Sequence, residues 1–491
     1  MTSINEIINE EIQKIRYNMQ QKIDLKEIKP EHLLKESATN KKIYAQTIIT
    51  PIKRTTNEDL EQKLNQQQNS IDELTELIKR LSRGERIPSS NPQTNSTSEI
   101  QTINIRQDNY LDINHNITEK TRIPKGTYFV DKDIQIDARG ELHIDEGTTL
   151  LFEQNAGIYS EGKIYAKGTE NEKITFEAKN THWRNITLKG NQNEESVFDY
   201  CIIKNGTGRQ LRSQAFKTGG AISLINTKTS ITNTTLINNS AEMGGAIYAT
   251  NTDLLAYNNH ILDNSATKYG SAIYLDETNA HLIHNLIESN EGKSKFLSNP
   301  IDTLHIAKTN AIIENNQFLK NKNKHIISRI ATIDNSEILI DTNYFENEIK
   351  TAFYLKNTNN IITNNIFFRK GTYDAESSTA IHIENGKKTI IDNNNIQNNF
   401  STGIHFEGTN QEELIIANNE IKNIRKKGFL THTTTLTDGT GMYLQRFKQA
   451  TIENNDLVNN NVGLKITKQK YEPLIKLTNL FEQNSQDINY L

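Results

Sequence analysis

One short phrase recurs in this chain and places tyrosine or histidine at a fixed position. It consists of a small residue, an apolar residue, a variable residue and a second apolar residue. It reads Ala246-Ile-Tyr248-Ala, Ala272-Ile-Tyr274-Leu, Ala352-Phe-Tyr354-Leu, Ala380-Ile-His382-Ile, Gly403-Ile-His405-Phe, Gly441-Met-Tyr443-Leu and Gly463-Leu-Lys465-Ile. Leu304-His305-Ile306 fits between the second and third copies, and Ser223 opens the series. In a strand the flanking apolar residues point inward, so the variable residue points outward. Stacked copies then give a surface stripe of Tyr248, Tyr274, His305, Tyr354, His382, His405 and Tyr443. Aromatic rings with polar tips suit sugars, which offer C–H faces and hydroxyls, so these seven are the candidate glycan-binding residues. The competing expectation is cross-strand stacking that only stabilises a sheet. His382 and His405 fall in successive copies, where either could move a proton in polysaccharide cleavage. With no cysteine or acidic ligand assured beside them, no metal site is assigned.

A second set of chemistry-bearing residues is acidic. Glu314, Asp341, Asp392 and Glu453 stand at one repeated position, and Thr363 interrupts them. Glu314 and Asp341 are expected as neighbours, close enough to form an acid/base pair or to hold Ca²⁺. The plainer expectation is a solvated edge, and no other cofactor is implied.

Both sets must be positioned by a repeating scaffold, and asparagine marks its period. The phrase Ile313-Glu-Asn-Asn-Gln-Phe318 returns as Ile362 to Phe367, Ile391 to Ile396, Ile416 to Ile421 and Ile452 to Leu457. Gly244 follows Gly219 by 25 residues, and Asn290 follows Asn264 by 26. A coil of that length suits three short strands and three turns stacked about 4.8 Å apart. The asparagines then form a ladder, each amide donating to the next carbonyl. The expected fold class is an all-β solenoid, a right-handed parallel β-helix of about 14 coils, preceded by a helical and coiled-coil N-terminal region. Two coils are long, from Asn285 to Asn316 and from Asn419 to Asn455. In solenoids such insertions become loops on one face.

Four segments are expected. In residues 1–56, Ile4, Ile8, Ile12, Ile15 and Met19 make a helical stripe, read as a docking segment. Residues 57–83 carry a heptad seam of Leu60, Leu64, Gln67, Ile71, Leu74, Ile78 and Leu81, read as a short coiled coil for self-association. Residues 84–100 are a polar Pro/Ser/Asn linker, and 101–491 are the solenoid. A formal net charge of −4 tells against a broad nucleic-acid surface. The single cysteine, Cys201, rules out an intrachain disulfide framework and reads as a buried thiol. No secretory signal and no membrane span are read from the chain.

The strands from Ile123 to Gly190 carry further detail. Ile144-Asp-Glu-Gly-Thr-Thr-Leu-Leu-Phe152 and Gly162-Lys-Ile-Tyr-Ala-Lys-Gly168 resemble the opening coils of right-handed parallel β-helix proteins of the pectate-lyase-like superfamily. The resemblance extends over roughly residues 120–485. Gly219-Gly-Ala-Ile222 and Gly244-Gly-Ala-Ile-Tyr248 look like the repeats of polymorphic outer-membrane adhesins. The enzyme motifs of the fold are mostly missing. Asn251-Thr-Asp253 matches the first polygalacturonase motif, but its other three motifs and the Asp-Pro-His of alginate epimerases are absent. This tells against an enzyme; were the chain one, it would be a polysaccharide lyase or glycoside hydrolase. The layout resembles a phage tailspike or similar appendage subunit. It implies an oligomeric structural and receptor-binding protein on a virion or appendage, otherwise cytoplasmic. Its partners would be polysaccharide, further copies through 57–83 and a larger assembly through 1–56.

Overall fold

The computed structural model describes residues 4–22, 100–190, 195–212, 215–293, 301–323, 328–348, 350–370, 378–398, 400–424, 439–467 and 478–490. The heptad stretch 57–83, linker residues 84–99 and the long-coil segments 294–300 and 425–438 lie outside them. Residues 4–22 and the solenoid belong to one compact unit.

The coil that begins at Asp302 illustrates the architecture. Its first strand, Asp302–Ala307, lies in sheet 1; Asn310–Glu314 lies in sheet 2; Gln317–Leu319 lies in sheet 3. Among the described residues each of these three sheets is 14-stranded. Every strand pairs in parallel with its equivalent one coil away, as in Asn310–Glu314 beside Glu337–Asp341. A fourth, 4-stranded sheet follows sheet 3 in the middle coils.

Period-2 alternation fills the interior. Leu304, Ile306, Ala311, Ile313 and Phe318 point inward from one coil and are fully buried. Like residues stack on like: Phe318, Phe345 and Phe367 stand 4.9 and 5.0 Å apart between ring centroids. Burying each such side chain contributes about 1.5–3 kcal/mol. Cys201 is fully buried, and burial pushes its thiol well above its usual range.

The Asn-Asn pair works as two different devices. The first asparagine takes a positive φ at the corner between sheets 2 and 3, as at Asn315 (55°), Asn364 (56°) and Asn393 (50°). Asparagine tolerates this left-handed conformation better than most residues. The second asparagine is buried and forms the expected ladder. Asn316 Nδ2 donates to Asn343 Oδ1 at 3.0 Å, Asn343 to Asn365 at 3.0 Å and Asn365 to Asn394 at 3.0 Å. The series continues through Asn419 and Asn455 to Asn479. A second ladder stands at the exit from sheet 3, running Asn239, Asn264, Asn290, Asn321, Asn347. The Gly-Gly pairs answer to crowding: a Cβ on Gly245 would lie 2.0 Å from Ser271 O, and Gly244 has φ +67°.

The N-terminal stripe is satisfied within the chain. Helix α1 (Ile4–Lys22) packs Ile8 and Ile15 onto Ile312, Leu339, Ile361, Ile390 and Ala417 of sheet 2. All but Ala417 come from one outward column in continuous register, Ile312, Leu339, Ile361, Ile390 and Ile415. Arg16 binds Glu314 and Asp341 at 2.7 Å each, and Glu11 pairs with Lys388 at 2.8 Å. The sequence carried a sign of this in its doublets, Ile312-Ile313, Leu339-Ile340, Ile361-Ile362 and Ile390-Ile391. In a strand the second residue of each doublet faces the core, so the first faces out and requires a cover. Among the described residues no helix is long and apolar enough to cross a membrane.

Candidate functional site

Sheet 1 turns the recurring phrase into one register-locked column. Ser223, Tyr248, Tyr274 and His305 are successive Cα partners. Thr332, Tyr354, His382, His405, Tyr443 and Lys465 continue it. All seven candidates therefore stand on one face, along the solenoid axis. The column also runs further back than the sequence phrase, through Thr187 to Tyr159 and Gln135. Asp133-Ile-Gln135 and Asn185-Ile-Thr187 lack the small-residue lead of the phrase, and Gly157-Ile-Tyr159-Ser lacks its second apolar residue, so the phrase alone did not align them. Thr332 interrupts the rings between His305 and Tyr354.

The rings use their faces on one another. Tyr248 and Tyr274 stack at 5.1 Å and 5°, and Tyr274 and His305 at 5.1 Å and 2°. Below the interruption His382 and His405 stack at 4.4 Å, His405 and Tyr443 at 4.8 Å. Tyr354 meets His382 edge-on, at 88°. Solvent therefore meets mainly ring edges and phenol hydroxyls, whereas the sequence reading had offered flat faces. Tyr443 turns its hydroxyl to Gln445 at 3.1 Å. Burial raises the pKa of Tyr248, Tyr274 and Tyr443, and pushes Tyr354 up to about 12, so these remain neutral phenols.

The three histidines divide into two kinds. Burial, with Arg329 nearby, lowers His382 to about 4, and burial with His382 beside it lowers His405 to about 3. Both are neutral imidazoles at physiological pH, and the Nε2 of each is buried without a hydrogen-bond partner. Among the described residues no three His, Cys, Asp or Glu side chains stand close enough to hold a metal. His305 differs. Its Nδ1 lies 2.7 Å from Asp302 Oδ2, and Asp302 Oδ1 accepts the Gly270 N–H at 2.8 Å. Burial works against an imidazolium here, but Asp302 outweighs it and raises the His305 pKa above its usual value. Tyr269, 42% exposed, leans over the same ring at 4.8 Å. Sequence reasoning missed both Asp302 and Tyr269; the Asp three residues before His305 was the available signal.

The acidic set is also in register. Glu314 is the partner of Asp341, Asp341 of Thr363 and Thr363 of Asp392, with Ala417 before Glu453. Glu314 and Asp341 are not a bare solvated edge, because Arg16 of α1 bridges both. The negative charge that Ca²⁺ or a shared proton would answer is met there by a guanidinium. Asp392 is held by Asn418 and its pKa is raised, chiefly by burial. In Asn251-Thr-Asp253 the side chains bond between coils: Asn251 Nδ2 donates to Asn226 Oδ1, and Asp253 accepts from Asn279 Nδ2.

Comparisons with known proteins match parts of the chain. The family described as right handed beta helix region matches residues 302–485. Protein bark beetle of Drosophila melanogaster is 38% identical over 77 residues, which are 16% of this chain and 2% of that protein. Two structures of PfbA, a surface adhesin of Streptococcus pneumoniae, align over 75% of this chain. They cover 85% and 91% of those chains, at 12% and 11% identity and TM-scores of 0.33 and 0.31. The chain is thus a parallel β-solenoid, with the right-handed β-helix pattern legible over residues 302–485.

Proposed function

We propose that this protein is an elongated structural and receptor-binding subunit that engages cell-surface polysaccharide along sheet 1. The observation that carries the reading is the register-locked column from Tyr248 to Tyr443. It repeats polar edges about every 4.8 Å along one axis, a geometry that suits a chain ligand better than a compact one. The ring faces are already paired, so sugar hydroxyls meet phenol oxygens and imidazole edges. Each such contact is weak, and the self-association assigned to 57–83 would multiply them. The layout of helix, heptads, linker and solenoid fits attachment to a virion or appendage.

A glycan array probed with the full chain tests this. Binding is expected, and Tyr248→Ala with Tyr274→Ala should weaken it at least tenfold. An empty array, or binding indifferent to that double change, ends the reading.

The Asp302–His305 pair favours a second reading, a polysaccharide lyase or glycoside hydrolase on the same face. Asp302 would hold Nδ1 and present Nε2 for proton transfer. New reducing ends or unsaturated uronate products that vanish in His305→Asn would establish it. Intact glycan recovered after long incubation would leave binding alone. Failure of both would leave an assembly subunit without a ligand.

A further inference from the structure

Helix α1 lies along sheet 2 against the order of the coils. Asn418 Nδ2 donates to Asn5 Oδ1 at 3.3 Å, Glu11 pairs with Lys388, and Arg16 binds Asp341 and Glu314. From Arg16 the helix continues to Lys22, about 9 Å further. That is about two interstrand steps, which carries it over the next two strands, Asn279–Ile283 and Asp253–Tyr257.

The apolar column beneath α1 changes character there. Ile312 is the register partner of His281, and His281 of Leu255. His281 thus holds an outward position between two apolar residues. It is nevertheless only 2% exposed, so its ring is covered as fully as the aliphatic side chains that follow. Its Nε2 is buried without a hydrogen-bond partner.

The groups around this ring offer an imidazolium little. Arg16 is the charge on α1 that acts on it, and it repels a second cation. Glu314, on the following strand, is bound to Arg16. The preceding strand brings Asp253, which accepts from Asn279, and Tyr257, whose ring meets His284. Asn279 and Ile283 stand two residues to either side on the same face. The carbonyls at the C-terminal end of α1 would favour a cation, but Nε2 reaches no acceptor. Burial, with Arg16, lowers the His281 pKa to about 4.

We propose that α1 is an acid-released strap, docked on sheet 2 at neutral pH and detached when His281 takes up a proton beneath it. An imidazole that is harder to protonate when covered favours release in acid. Uncovered, it titrates near the usual value of about 6.5. Docking is therefore at full strength above about pH 6.5, weakens as pH falls, and levels off below about pH 4. Detachment uncovers Ile312, Leu339, Ile361 and Ile390, together with Ile8 and Ile15 of α1. An apolar face that neutral pH conceals is then presented in acid. The device belongs to sheet 2 and is independent of any ligand on sheet 1.

Amide hydrogen exchange of residues 4–22 in the full chain, corrected for the intrinsic pH dependence of exchange, reads the opening of α1. Between pH 7 and pH 5 the opening constant is expected to rise roughly twentyfold, as linkage gives for a group held at about 4 when covered. Carboxylates of ordinary pKa stay largely charged across that window. His281→Leu suits the apolar column, and His281→Gln keeps a polar group there that gains no proton. Each should flatten the profile. An opening constant that is flat in the unaltered chain, that falls in acid, or that still rises in either variant overturns the strap.

Discussion

Asn365→Ala is expected to destabilise the solenoid by about 3–5 kcal/mol, measured by denaturant unfolding. Asn365 Oδ1 accepts the backbone N–H of Asn343 at 2.9 Å and its Nδ2 at 3.0 Å. Its own Nδ2 donates to Ile340 O at 2.9 Å and to Asn394 Oδ1 at 3.0 Å. The side chain is fully enclosed, so alanine leaves two or three buried polar groups unpaired, at about 1–3 kcal/mol each. Asn364 is the control, since it differs by one position and is exposed. Asn364→Ala loses the residue suited to φ 56° but leaves the buried ladder intact, and should cost about 1–2 kcal/mol. Asn365→Asp separates the two halves of the role, because a carboxylate accepts but does not donate. It too should be strongly destabilising. Equal effects at 364 and 365 would mean that the ladder adds nothing beyond the corner. In a stacked array each coil contacts only its neighbours. Hydrogen exchange should therefore loosen first in the coils around Asn343 and Asn394.

Removing residues 1–23 is expected to leave the β-sheet signal in place while exposing a continuous apolar stripe. Ile312, Leu339, Ile361 and Ile390 are each at most 3% exposed beneath α1. Uncovering them returns four large aliphatic side chains to water, a gross cost of roughly 6–12 kcal/mol. The measurable result is strong binding of an environment-sensitive apolar dye, with concentration-dependent association. Arg16→Ala is a milder version. It leaves Glu314 and Asp341 side by side without their cation, on side chains 21% and 11% exposed. Amide exchange across residues 4–22 should rise roughly thirtyfold, equivalent to about 2 kcal/mol of lost docking. Unchanged exchange would mean that the apolar contacts alone hold the helix. The same experiment bears on docking to a larger assembly: α1 would have to leave sheet 2 before offering its apolar face elsewhere, and the Arg16 contacts set part of that cost.

Several features of the solenoid follow from local physical chemistry, and these were legible in the chain. An amide at a fixed period can be satisfied in a stack only by its equivalents, so the Asn259-to-Asn479 series implied the ladder and the coil. Alternation within Ala-Ile-Tyr and Ala-Ile-His fixed which side chains face outward, and the ladder fixed their register. That was enough to place Tyr248 through Tyr443 in one column before any coordinates.

Other features depend on groups far apart in sequence. Nothing near Glu314 or Asp341 announces Arg16, which stands 298 and 325 residues away. The pairing exists because a helix and an apolar stripe find each other only after the coils have stacked. Ring orientation is likewise tertiary: the sequence supplies Tyr and His at one position, but the close interstrand spacing stacks Tyr248, Tyr274 and His305, and His382, His405 and Tyr443, face to face, while Tyr354 stands edge-on to His382.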